Sequence, residues 1–139
     1  MIHYIDIPAI MQVIGGVYLN NSLFENEKYH FNEEDFTEEF HKIIFGSIYN
    51  LFLLGAKNID IQSIEHYLEQ RPQAYGIYKA NKGEEYLKKL QETTQLSTFD
   101  YYYNRMKKMT LLRMYQKIGM DLTWLYNPDE ILNIKKKQT

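Results

Sequence analysis

Apolar residues recur at intervals of three and four along almost the whole chain, the spacing that gathers them on one face of a helix. In "IPAIMQVIGGVYL", Ile10, Val13, Ile14 and Val17 share such a face, and Pro8 stands near the start, where a missing N–H costs least. Gly15-Gly16 is unusual inside a helix, where each glycine costs about 1 kcal/mol relative to alanine. The close approach of a neighbouring helix would justify the pair, and "NNS" then breaks the segment. The most apolar stretch is "TEEFHKIIFGSIYNLFLLGAK", with Thr37 as the expected N-cap and Glu38 and Glu39 in the positive first turn. Phe40, Ile44, Ser47, Ile48 and Leu51 form its stripe, and Ile43, Phe45, Phe52 and Leu54 widen it. That breadth predicts a helix at the centre of a bundle, stopped by Gly55.

A shorter helix is expected in "NIDIQSIEHYLEQ", capped by Asp60 and ending at Arg71-Pro72. Residues 73–83 read either as a loop or as a short helix. "EEYLKKLQETT" reads as a further helix, whose i,i+4 pairs Glu84–Lys88 and Glu85–Lys89 contribute about 0.3–0.5 kcal/mol each. Ser97 and Asp100, spaced S-x-x-D, predict the opening of a long helix running to about Tyr126. Asn127 and Pro128 then restart a helix that stops at "KKKQT", too short to be stable alone, so the chain reads as a piece of something longer.

The long helix has two apolar faces in succession. At about 100° per residue, Tyr102, Tyr103, Met106 and Met109 lie near Phe99, while Tyr101 points the other way, towards Arg105 and Lys108. Beyond Met109 the apolar set rotates to Leu111, Met114, Tyr115, Ile118, Leu122 and Leu125, with Leu112 and Trp124 outside it. The first face is expected to dock on the preceding domain, through Tyr102, Tyr103 and Met106. The second needs another helix, and a bare apolar stripe is a partner surface by default. The three consecutive tyrosines fan out over about 200°, so they do not form one platform for stacked bases.

Composition narrows the class. A chain of 139 residues suits one domain able to bury about two-thirds of its unfolded surface. It has no cysteine, hence no disulfide frame, thiol nucleophile or Cys-based zinc site, which fits a reducing cytosol. No apolar run approaches the roughly 20 residues of a membrane span, and "MIHYIDIPAIM" lacks the form of a cleavable leader, so a soluble intracellular chain is expected. The net charge of −2 conceals an asymmetry: Met1 to Thr98 holds 8 Lys/Arg against 14 Asp/Glu, and Phe99 to Thr139 holds 8 against 4. Two readings stand side by side, a self-associating or oppositely charged partner surface and a solvated acidic domain followed by a basic linker.

Catalytic motifs are missing from the sequence. There is no G-x-x-x-x-G-K-[ST] and no G-x-G-x-x-G. His3, His30, His41 and His66 form no H-x-x-x-H pair for a metal. His41, in the most apolar helix, is expected to be a hydrogen-bonded structural residue that ties down an incoming loop. The five carboxylates of "NEEDFTEE" (Glu33, Glu34, Asp35, Glu38, Glu39) lack the glycine and spacing of a calcium loop, and acidic residues are expected at helix starts in any case.

"EDFTEEFHKIIFGSIYNLFLLGAKNIDIQSIEHYL" resembles the hallmark segment of the N-terminal domain of DnaB-type replicative DNA helicases, through Asp35, Phe36, His41, Ile44, Phe45, Ile48, Leu51, Gly55, Asp60 and Leu68. "VIGGVYLNN", "KGEEYLKKL" and "YYYNRMKKMTLLRM" resemble its flanking motifs, so the likeness covers residues 7 to about 137. Ile10 and Met11 stand where that family usually has glutamate and glutamine, which suggests a divergent member carried by a phage or plasmid.

The resemblance implies an all-α fold: a helical globule over residues 1–96, a long helix over 97–126 that begins a helical hairpin, and a truncated second arm over 127–139. It implies hairpin pairing between chains, from dimer to hexamer, with Leu111, Tyr115, Ile118, Leu122, Trp124 and Leu125 at the interface and His41, Phe45, Tyr102, Tyr103 and Met106 as structural residues. It further implies recruitment of primase and of a helicase loader in the bacterial cytoplasm, no membrane, and ATP, Mg and DNA only with a motor domain that this chain lacks. Two alternatives are the helicase-binding C-terminal domain of a primase and a small helical nucleic-acid-binding protein.

Overall fold

The structure, a computed structural model, describes residues 3–119. Six α-helices run through them: α1 (Ile7–Leu19), α2 (Glu39–Leu53), α3 (Ile61–Glu69), α4 (Pro72–Ala80), α5 (Gly83–Thr93) and α6 (Phe99–Lys117). Short 3-10 turns at Asn21–Glu25, Glu33–Asp35 and Leu96–Thr98 join them, and the described residues hold no strand. None of these helices is long and apolar enough to cross a membrane.

α1, rather than α2, is the centre. It packs against α2, α5 and α6, and every residue from Val13 to Tyr18 is buried. Asp6 starts it, one carboxylate oxygen accepting the Ala9 N–H at 3.0 Å, and Pro8 occupies the first turn. The two glycines are where the neighbours come closest. A Cβ on Gly15 would fall 1.9 Å from the Thr94 hydroxyl, and one on Gly16 would fall 2.2 Å from the Phe99 ring. The Gln12 side chain fastens the same approach by donating to the Thr93 carbonyl and accepting from the Gln95 N–H, each at 3.0 Å.

α2 lies on α1, α3 and α4 and buries Phe40, His41, Ile44, Ser47 and Ile48. Its other face is open, with Tyr49 and Leu53 exposed and Leu54 at 76% exposure just beyond its end. Apolar breadth in the sequence therefore marks a helix with an uncovered face, not an enveloped one. Glu38, not Thr37, is the N-cap, and its side chain makes no capping bond. Gly55, with φ of 81°, stops the helix as expected.

Asp60 caps α3, accepting from the Ser63 N–H at 2.8 Å while the Ser63 hydroxyl serves as acceptor for the Asp60 N–H at 2.9 Å. The ambiguous stretch after it is helical: Pro72 does not end structure but opens α4 at the position that suits its fixed φ. Lys82 turns the chain in the left-handed region (φ 55°), and α5 begins at Gly83 beneath the Tyr78 ring. Of the two ion pairs expected on α5, Glu84–Lys88 spans 3.9 Å between exposed side chains, a contact of small energetic weight. Ile14, Ile44, Ile48, Ile64, Leu87 and Leu90 are wholly inaccessible to solvent. Burial at about 1.5–3 kcal/mol per large aliphatic side chain makes them the main favourable contribution to the globule.

His41 fills volume between Phe40 and Tyr86, but the expected hydrogen bond is not made. The Glu38 carboxylate stays 3.7 Å away, and Nδ1 has no hydrogen-bond partner.

Candidate partner interface on the last helix

α6 starts at Phe99 after a 3-10 turn, with Thr98 rather than Ser97 before it and no side-chain cap. Asp100 is drawn elsewhere: it accepts from the Tyr29 hydroxyl at 3.1 Å and pairs with Lys28 at 2.7 Å. That short contact with Lys28, followed by the Tyr29 hydrogen bond, lowers its carboxyl pKa, and the same contact raises that of the Lys28 ammonium.

The first half of α6 is anchored by rings. Phe99, Tyr103 and Met106 are buried. Tyr29 meets Phe99 edge-on at 4.9 Å and Tyr103 at 4.7 Å, and Phe31 meets Tyr103 at 5.7 Å. The Tyr103 hydroxyl accepts from the His30 N–H at 2.8 Å and donates to the His30 carbonyl at 3.1 Å, so one side chain satisfies both backbone groups of a loop residue. Tyr102 is half-buried, while Tyr101 is 60% exposed and touches the Tyr102 ring edge-on at 5.1 Å. Phe45, on α2, is half-buried against Phe24, Phe31 and Phe36, and Phe31 links these rings to Tyr103.

Charges complete the attachment. Asp35 is fully buried and receives Lys107 at 2.9 Å, the Thr110 hydroxyl at 2.7 Å and the Asn32 N–H at 2.8 Å. Asp6 uses its second oxygen to accept from Arg105 Nε at 2.9 Å. Arg113 donates to the Tyr4 and Glu34 carbonyls. Met109 and Leu112 close over Tyr4, which carries the docked face one turn further than Met109. Arg105, Lys107 and Arg113 are therefore turned inward, while Lys117 is exposed. Arg105, which the helical spacing places on the side of Tyr101, is bound to Asp6. Burial, followed by the Arg105 charge, lowers the Lys108 ammonium pKa. Three of the cations that a phosphate-binding surface would use are thus committed to the globule.

Three large apolar residues remain outside on the second half of the helix. Leu111, Met114 and Ile118 are 49%, 55% and 70% exposed and share one strip of the helix, with Tyr115 half-buried at its edge. α6 ends at Lys117, short of the expected Tyr126, where Gly119 takes up φ of 85°. Leu122, Trp124 and Leu125, and the expected restart at Asn127-Pro128, lie outside the described residues. Sequence reading missed the internal ion pairs and the role of Tyr4. The adjacency of Asp35 to Phe36, a carboxylate beside a core ring, was the one local sign that this acid is buried.

The family model described as "DnaB-like helicase N terminal domain" matches residues 4–108. A curated relative, "SPbeta prophage-derived uncharacterized protein YorI" of Bacillus subtilis (strain 168), is 37% identical over 134 residues. Those residues are 96% of this chain and 26% of the relative, so the chain spans about a quarter of that protein's length. No solved structure matches the chain. The matched segment runs from the Tyr4 support, through the acidic knot at Asp35, to the docked half of α6. The chain belongs to the DnaB-like helicase N-terminal domain family.

Proposed function

We propose that the chain is the collar domain of a hexameric replicative helicase, a protein–protein module with α6 as the first arm of a pairing hairpin. The observation that carries the pairing is the strip of Leu111, Met114 and Ile118, left exposed on a helix whose opposite side is pinned by three charged contacts. Leu122, Trp124 and Leu125 extend the same interface. Six such domains stacked over a motor ring form a platform that recruits primase and a helicase loader. ATP, Mg and DNA act in that motor domain, and this chain contributes assembly. A phage-encoded replicon fits both the prophage relative and the departures at Ile10 and Met11.

Sedimentation velocity tests the pairing. At high micromolar concentration the chain sediments as a dimer or larger, and Ile118→Asp reduces it to a monomer without loss of helical circular dichroism. A monomer at all concentrations, unchanged by the substitution, refutes it. A pull-down with the cognate primase tests the platform.

A further inference from the structure

A second unpartnered surface lies away from α6. The loop over residues 29–36 and the N-terminal half of α2 enclose an open groove of about 620 Å³, walled by Phe24, Phe31, Phe45 and Tyr49 and floored at Gly46. Lys42, Gly46, Tyr49 and Leu53 fall on one strip of α2, within about 60° of each other at 100° per residue. A Cβ on Gly46 would meet nothing within 4 Å, so the helix backbone is approachable from solvent there. The strip continues past the groove to Leu53, 59% exposed. From Lys42 to Leu53 it is about 16 Å long, three turns of a helix.

The rim is acidic. Glu33 and Glu39 line the groove with His30 and Lys42; Lys42 is 3.4 Å from Glu33, and Glu39 has no ion pair among the described residues. Glu34 and Glu38, both exposed, flank the same entrance in sequence. Aromatic walls around a small-residue notch suit an apolar anchor. A carboxylate rim favours cations beside that anchor and opposes an acidic segment, a second copy's acidic half included.

We infer that this groove is a docking site for a basic amphipathic helix of a partner protein, its apolar residues seated over Gly46 between Phe31 and Tyr49 and its lysines or arginines at Glu39. The site is independent of the α6 strip. One wall of it, residues 30–33, is fastened to α6 through Tyr103 and Asp35 and to α2 through Phe31 and Glu33.

The test uses a synthetic 14-residue helix with Leu and Phe at i, i+3, i+4 and i+7 and lysines on its flanks, beside a control in which glutamates replace the lysines. Titrated into the isotope-labelled chain, the basic peptide shifts the amides of Phe31, Gly46 and Tyr49 and binds at least tenfold more tightly than the control. Gly46→Gln, which fills the notch with a better helix former, and Glu39→Lys each weaken it at least tenfold with unchanged circular dichroism. Ile118→Asp leaves it unaltered, which separates this site from hairpin pairing. Equal affinity for both peptides, shifts confined to Leu111–Ile118, or undiminished binding by Gly46→Gln overturns the inference. Dissociation of a chain dimer by Gly46→Gln also overturns it, by making the groove a contact between copies.

Discussion

Gly16 and Gly46 both sit inside helices, and alanine at the two positions is expected to act in opposite directions. At Gly16 the new methyl group would lie 2.2 and 2.5 Å from two atoms of the Phe99 ring, against a carbon–carbon optimum of about 3.5–4.0 Å. Phe99 has no slack, being buried and set edge-on against Tyr29 at 4.9 Å. Overpacking of this kind costs about 1–3 kcal/mol, and disturbing an aromatic pair adds about 0.5–1.5 kcal/mol. Replacing a mid-helix glycine returns about 1 kcal/mol. Gly16→Ala is therefore expected to lose about 0.5–3.5 kcal/mol net. At Gly46 the methyl group meets nothing, so only the propensity gain survives and the variant gains about 1 kcal/mol. Urea denaturation of the two variants beside the parent measures the difference, with the slope m unchanged in each. With about 4 °C per kcal/mol at this size, melting temperatures move in opposite senses. A Gly16→Ala protein as stable as Gly46→Ala would refute the close approach of α6 to α1.

Three further outcomes are expected. Asp35→Ala removes the acceptor for Lys107, Thr110 and the Asn32 N–H and lowers unfolding free energy by about 2–4 kcal/mol, the partial exposure of Lys107 holding the loss below the worst case. Glu34→Ala, at an exposed neighbour, changes it by less than about 0.5 kcal/mol in the same titration. Tyr103→Phe forfeits both bonds to His30 and costs about 1–2 kcal/mol by chemical denaturation. Burial holds the His41 imidazole below its ordinary value of 6.5, against the opposing pull of Glu38. The unfolded chain thus takes up a proton that the folded one refuses, and stability declines as pH falls through 6.5 towards the depressed value. His41→Gln flattens that decline between pH 7 and 5, and an unchanged slope would show that His41 is not its source.

Local rules carried the helices whose signals were themselves local. The face of α1, the Asp60 cap, the Gly55 stop and the divergence of the three tyrosines all follow from spacing and backbone geometry. Residues 73–83 stayed open between loop and short helix because the residue that marks the end of one helix also suits the first turn of the next. The cations of α6 misled for a different reason. Their partners Asp6 and Asp35 lie 99 and 72 residues away, and no local pattern distinguishes a lysine in water from one pointing at a buried carboxylate. The candidate interface was legible as a rotation of the apolar set, whereas the groove on α2 was not. Its residues read as core until the structure leaves one side of that helix uncovered.

Asp6 to Arg105 and Tyr4 to Arg113 join positions 99 and 109 residues apart. On a chain synthesised from its N-terminus at about 5–20 residues per second, the first of these groups emerge and wait some 5–20 s for their partners. Throughout that interval the α6 side of α1 has nothing over it, although that surface includes Gly16, shaped for a ring not yet made. Closing a loop of this length before any contact rewards it is slow. The helix that carries the exposed strip of Leu111, Met114 and Ile118 is thus the last of the six described helices to be synthesised, and its inner face completes a globule whose other helices precede it.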